Sequence, residues 1–256
     1  MRVASWNVNS LRVREDHVRD WLDRQAPDVL GLQEIKMPTE NFPTEVFNES
    51  GYHSVANGQK TYNGVALLSR DAPTDVSVDL PGLTDSQKRV IAATYGELRV
   101  INLYVPNGQS VGSDKYEYKL NWLDALNAYI EEELKQYPRL VVMGDFNIAP
   151  DDRDVHDPDT WRDKVLCSGP EREKLASLLS LGLEDSFRLF DQSEGVFSWY
   201  DYRAAAFRRK LGLRIDLLLV SSALVPHCMA SDVDLEPRRL ERPSDHAPVF
   251  VDLGEA

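Results

Sequence analysis

Short runs of β-branched and aliphatic residues alternate with longer amphipathic stretches from one end of this chain to the other, with no fixed-period repeat. That alternation restricts the chain to an α/β architecture, since strands and helices read with different periods. Strands are predicted at Met1 to Val8, Val29 to Leu32, Tyr52 to Val55, Gly64 to Ser69, Val90 to Tyr95, Leu98 to Tyr104, Leu140 to Met143, Ile215 to Ser221 and Val249 to Leu253. Ser10 could cap a helix carrying Val18, Trp21 and Leu22, which Pro27 stops. The longest helix follows Ser113-Asp114, places Leu123, Leu126, Ile130 and Leu134 on one face, and ends before Pro138. Another begins at Pro170 and stops at Gly182. Several strands succeed one another with no helix between them, which favours two packed sheets with helices outside over a doubly wound parallel sheet. Without a linker or low-complexity tract, one domain over residues 1–256 is expected.

A hydrophobic fraction of 42% is enough for a substantial core. No stretch approaches the ~18 apolar residues of a membrane span, and no signal-peptide pattern opens the chain. A monomer in the cytoplasm, with no membrane association, is expected. Cys167 and Cys228 are the only cysteines, too few for a disulfide framework and not spaced for zinc, so they are assigned to packing. The balance of 29 Lys and Arg against 42 Asp and Glu gives a net charge of −13, which opposes binding to a polyanion. A carboxylate cluster loaded with a divalent cation, or cations gathered on one face, would reconcile the two.

Polar residues recur at the ends of the apolar runs: Asn7 and Asn9, Glu34, Asp145 and Asn147, then Asp245-His246, with Asp216 inside a strand. A carboxylate beside a core strand is costly unless it is paired or holds a cation. Taken singly, each could be a turn residue or a helix cap. Together they offer the oxygen donors a hard divalent cation prefers, and the groups that phosphate chemistry needs. In Gly144-Asp145-Phe146-Asn147-Ile148-Ala149-Pro150, an extended backbone would send Asp145 and Asn147 the same way into one cavity. In Arg242-Pro243-Ser244-Asp245-His246-Ala247-Pro248, two prolines stiffen the loop that presents a carboxylate and an imidazole.

Those segments, with Ser5 to Arg12, Leu32 to Lys36, Tyr62 to Ala66, Asn102 to Gly108 and Leu213 to Asp216, form seven ordered blocks. They resemble the exonuclease III type of apurinic/apyrimidinic endonuclease, within the endonuclease/exonuclease/phosphatase superfamily. Gly58 to Gly64 and Phe207 to Gly212 look especially similar to the bacterial apurinic endonuclease subgroup. The resemblance implies a four-layer αββα sandwich like that of deoxyribonuclease I, and a Mg2+-dependent enzyme in which Mn2+ could substitute. It implies cleavage of double-stranded DNA 5′ to an abasic site to leave a 3′ hydroxyl, with removal of 3′ blocking groups and some 3′→5′ exonuclease action. By the same resemblance Glu34 would be the principal metal ligand, with Asn7 and Asp245 completing the site and Asp145 and Asn147 at its edge. Asp145 would orient or deprotonate the attacking water, and the identity of the base stays open. Asn147 would hold the phosphate, and His246, kept cationic by Asp216, would donate to a non-bridging oxygen. Tyr104 would bond the scissile phosphate and Asn107 a neighbouring one.

Lesion recognition would fall to apolar wedges and basic contacts. Candidates are Trp199, Tyr202, Phe207, Arg208, Arg209 and Lys210, with Lys115, Lys119, Gln59, Lys60 and Tyr62. Leu213 stands where some relatives carry a tryptophan lining the abasic pocket, which bears on how tightly a base-less sugar is held. Two other readings share the motifs: a phosphatase or lipid phosphodiesterase of the superfamily, and a non-catalytic nucleic-acid-binding regulator on the same fold.

Overall fold

The structure, a computed structural model, describes residues 1–254, so Glu255 and Ala256 of the expected domain lie outside the described residues. The chain begins with β1 (Arg2–Asn7), α1 (Leu11–Gln25) and β2 (Val29–Gln33), followed by α2 (Thr44–Glu49), β3 (His53–Asn57) and β4 (Val65–Ser69). Next come β5 (Thr74–Val78), β6 (Val90–Tyr95), β7 (Leu98–Tyr104), α3 (Asp114–Gln136) and β8 (Leu140–Asp145). After α4 (Pro158–Trp161), α5 (Gly169–Leu179) and β9 (Leu183–Asp185), a short ribbon of β10 (Trp199–Tyr200) and β11 (Gly212–Leu213) precedes β12 (Asp216–Ser221). The described chain closes with β13 (Cys228–Val233) and β14 (Val249–Leu253).

Two six-stranded sheets result, ordered β13-β14-β1-β2-β4-β3 and β5-β6-β7-β8-β12-β9. Val3, Val29, Val65 and Leu67 of the first pack against Ile91, Val100, Val141 and Leu218 of the second, forming the central core. Outside the first sheet, Val18, Trp21 and Leu22 of α1 cover Ala4, Trp6, Leu30 and Leu32. Outside the second, Leu123, Leu126 and Ile130 of α3, with Leu175 and Leu178 of α5, cover Ile101, Val142 and Leu219. The expected four-layer αββα sandwich is therefore present. Each strand residue alternates between two buried faces, which is why the central strands read as continuous apolar runs.

Near the strand ends a polar tie crosses the apolar layer. Gln33 Nε2 donates to Asn102 Oδ1 at 2.6 Å, and Asn102 Nδ2 donates to the carbonyls of Leu32 and Ala66 at 3.0 and 2.8 Å. Gly31 makes room for it, because a Cβ there would stand 2.8 Å from Asn102 Cγ and 2.6 Å from Met143 Cε.

Two helix starts differ in kind. Ser113 caps α3, its hydroxyl accepting from the Tyr116 amide at 3.1 Å, whereas Ser10, expected to cap α1, stands at φ 87° and makes no side-chain cap. Backbone bonds take over: the amides of Ser10 and Leu11 donate to the carbonyls of Glu34 and Ile35 at 2.8 and 3.2 Å. The start of α1 is thereby tied to the turn that carries Glu34. Strands β5, β9, β10, β11 and β13 escaped prediction because β5 and β13 are edge strands without clean alternation and the other three have only two or three residues.

Candidate active site

Strand register brings the polar residues together. Tyr104 of β7 and Asp216 of β12 each pair with Asp145 of β8, so three polar side chains end three adjacent strands of one sheet. Gly144 has to be glycine, with φ 147° and a Cβ position only 1.9 Å from the Leu103 carbonyl oxygen. From the other sheet, Asn7 ends β1, and Glu34 follows β2 in a left-handed turn at φ 52°. The β14-side loop adds His246, pinned by Trp6 Nε1 donating to its carbonyl at 3.1 Å and by its amide donating to Ser244 Oγ at 3.2 Å. Ser244 Oγ in turn donates to the Asn7 carbonyl at 2.6 Å.

The buried Asn7 amide nitrogen donates to Glu34 Oε1 and to Asp145 Oδ2, both at 2.9 Å. Tyr104 donates its hydroxyl to Glu34 Oε1 at 2.9 Å. His246 lies between two carboxylates, with Nδ1 2.8 Å from Asp216 Oδ2 and Nε2 3.6 Å from Asp145 Oδ2. Burial alone would pull its imidazole down, but Asp216 and Asp145 outweigh it and raise it to about 10. The ring is therefore a cation at neutral pH. Burial pushes the Asp145 carboxyl up to about 7, against the pull of His246 and Asn7. Burial also raises the Tyr104 phenol well above its ordinary value, helped by Glu34 and Asp145, so it stays a protonated donor.

Glu34, Asp145 and His246 each offer an atom within 4.8 Å of the others. A cationic imidazole donates and does not ligate, which leaves two carboxylates as the donors a hard divalent cation prefers. Glu34 is partly open to solvent at 19% side-chain exposure, as an entry path requires. Asn7 turns its nitrogen to both carboxylates while its oxygen accepts from the Asn9 amide at 3.0 Å. Asp245 lies outside this trio, held by Asn9 Nδ2 at 3.2 Å and Trp199 Nε1 at 3.0 Å. Asn147 does not continue the extended backbone expected of it. It turns left-handed at φ 48°, its amide nitrogen donates to the Val105 carbonyl at 2.8 Å, and its oxygen accepts from Asn107 Nδ2 at 3.3 Å.

Among the outer residues, Lys60, Tyr62, Asn107, Lys115, Arg208, Arg209 and Lys210 are exposed, and Gln59 and Trp199 are half-buried. Gln59 ties its loop to the segment ahead of β6, its Oε1 accepting from Asn63 Nδ2 and from the Lys88 amide. Two expectations need correction. Lys119 is wholly buried on the inner face of α3, paired with Glu171, and cannot touch DNA. Leu213 is also wholly buried, packed with Ala149, Val155, Leu166 and Ile215, and lines no open pocket.

Sequence reasoning missed three supporting residues. Lys36 Nζ lies 3.3 Å from Glu34 Oε2 and donates to Asn9 Oδ1 at 2.6 Å. Arg89 stacks 4.7 Å from the Tyr104 ring centroid. Ser198 Oγ accepts from the amides of Ile215 and Asp216 at 3.0 Å. Only Lys36 carried a signal, its place two residues beyond Glu34. Arg12, Lys36 and Lys60 line one open hollow of 570 Å³ whose lining includes no acidic residue. A chain of strongly negative total charge thus has a basic patch beside its carboxylates.

A buried carboxyl raised towards neutrality, a cationic imidazole and a neutral phenol gathered beside Glu34 are the groups that phosphoester hydrolysis calls for. The chain belongs to the Endonuclease/Exonuclease/phosphatase family, whose model matches residues 4–246. This family is metal-dependent. The chain is 39% identical to the exodeoxyribonuclease III of Haemophilus influenzae, covering 99% of this chain and 100% of that protein. Among solved structures it is similar to the Neisseria 3′ phosphatase NExo bound to a product DNA hairpin, at 48% identity and a TM-score of 0.98, with both chains fully covered. It is also similar to an AP endonuclease from Archaeoglobus fulgidus, at 38% identity and a TM-score of 0.95 over 99% of each chain.

Proposed function

We propose that this protein is a DNA repair nuclease that hydrolyses the phosphodiester 5′ to abasic sites in duplex DNA, leaving a 3′ hydroxyl. It also clears 3′ phosphates and other 3′ blocking groups and digests 3′→5′. The observation that carries the reading is the contact of Asn7, Glu34, Asp145, Asp216 and His246 in one cluster drawn from both sheets. The names of its relatives, exodeoxyribonuclease III, 3′ phosphatase and AP endonuclease, support the substrate class.

Glu34 and Asp145 would hold Mg2+, with Mn2+ as a substitute. Bound there, the cation would neutralise charge building on the phosphate oxygens. Asp145 takes the proton of the attacking water or fixes its direction, its Oδ2 held by Asn7 Nδ2 at 2.9 Å. His246 presents a protonated Nε2 to a non-bridging oxygen, while Asp216 fixes the ring and its charge. Tyr104 offers its hydroxyl and Asn147 its amide to the same phosphate. Exposed Arg208, Arg209, Lys210, Lys60 and Lys115 contact the backbone, and Trp199 and Tyr62 face the lesion. The protein acts as a monomer in the cytoplasm. A non-catalytic role does not account for a complete set of base, imidazole and carboxylate groups.

A gel assay on abasic, 3′-phosphate-ended and intact duplexes, with a phosphoinositide control, tests the reading. Nicking of the abasic strand and release of the 3′ phosphate are expected; turnover of the phosphoinositide alone would overturn it.

A further inference from the structure

Lys119 spends a buried charge where a hydrocarbon would fill the space at lower cost. Its three ammonium protons meet three acceptors: a carboxylate oxygen of Glu171, the Asn147 carbonyl at 2.6 Å and the Asn107 carbonyl at 3.2 Å. One is the backbone carbonyl of Asn147, whose side chain the proposed mechanism places on phosphate, and another is that of Asn107, which the family resemblance places on a neighbouring phosphate. We infer that Lys119 is a positioning residue, whose ammonium fixes the peptides of Asn107 and Asn147 and so aims both side chains. The inference rests on the functional reading above.

The surroundings fit that role and not charge neutralisation alone. Asn147 is left-handed, which turns its carbonyl inward, where Lys119 supplies a donor. Gly108, at φ 90°, lies against the lysine stem, and a Cβ there would stand 3.1 Å from Lys119 Cδ. The turn that presents Asn107 is thus seated on the methylenes as well as bonded to the ammonium. The two side chains also meet, with Asn107 Nδ2 donating to Asn147 Oδ1 at 3.3 Å. Glu171 anchors the assembly from the far side: Oε2 accepts from Ser168 N at 3.1 Å and Ser168 Oγ at 2.6 Å, and Oε1 also accepts from Leu166 N at 3.1 Å. Helices α3 and α5 therefore bear on two active-site loops through one side chain.

Lys119→Met alone strands a buried carboxylate and could unfold the protein, so the test uses Lys119→Met with Glu171→Gln, alongside Lys119→Arg. The double variant should keep a cooperative melt, lose roughly tenfold or more in kcat on abasic duplex, and keep KM within about threefold. Lys119→Arg should recover most of the turnover. The side-chain amide resonances of Asn107 and Asn147 should shift in the double variant and return in Lys119→Arg, independently of any substrate. A double variant with native melting, native kcat and unshifted amides would overturn the inference. If the wild-type protein cuts no DNA, the functional reading fails, while the amide shifts still decide whether Lys119 positions these loops.

Discussion

The imidazole Nδ1 of His246 lies 2.8 Å from Oδ2 of Asp216, and both side chains are buried. The pair joins two sheets, since Asp216 opens β12 and His246 sits just ahead of β14. With Asp145 3.6 Å from the other ring nitrogen, the charge on the imidazole is over-determined.

That charge can be watched directly. By NMR the His246 ring should not titrate between pH 6 and 8, and in Asp216→Asn its midpoint should drop to neutrality or below. A histidine pKa raised on folding contributes stability that is complete below its unfolded value of about 6.5 and disappears as pH rises through about 10. The stability gap between wild type and Asp216→Asn should therefore be wider at pH 6 than above pH 10. A wild-type midpoint near 6.5 would refute the charge assignment.

Asp145→Asn should reduce nicking of abasic duplex by about 10²–10⁴-fold while leaving DNA affinity nearly unchanged. Its effect on stability should vary with pH. A carboxyl raised on folding favours the folded state least once pH exceeds its folded value, here about 7. In metal-free protein the asparagine variant should gain on wild type as pH rises from about 4 to 7, as read from melting temperatures. Wild-type turnover in this variant would remove Asp145 from the mechanism.

Chelation should abolish activity and Mg2+ should restore it. Because a ligand that binds only the folded state stabilises it, Mg2+ should also raise the melting temperature. Glu34→Gln should blunt that rise and shift the metal dependence of turnover to higher concentration. Equal metal response in both proteins would place the cation elsewhere.

Contacts to the DNA backbone release counterions, so affinity should fall steeply with salt. Replacing Arg208 or Arg209 by alanine should lower the slope of log K against log salt by about one each, with little change in base preference. A slope that stays constant would take this loop off the DNA.

The convergence of Asn7, Glu34, Asp145, Asp216 and His246 was legible because each interrupts or ends an apolar run, where an unpaired polar group is expensive, whereas Asp245, marked by the same signal, is held apart by Asn9 and Trp199. Central strands were equally legible, being buried on both faces. Lys119 was misread because a lysine near the start of an amphipathic helix normally faces water. Its burial depends on Glu171, 52 residues away, which no local pattern announces. Leu213 was misread for a similar reason, since only the folded packing of Val155, Leu166 and Ile215 closes over it. Ser10 looked like a helix cap, yet the Glu34 turn supplies acceptors that make a hydroxyl unnecessary.

The tie between Gln33 and Asn102 means that the two halves of the sandwich cannot slide past each other without breaking a buried hydrogen bond. Asn7 and Glu34 ride on one half, Tyr104, Asp145 and Asp216 on the other. Alignment of the reacting groups is consequently a property of the whole layered body. A single conservative change under the tie should blunt turnover while the protein is still folded, making enzymatic rate a finer gauge of sheet alignment than any melting curve.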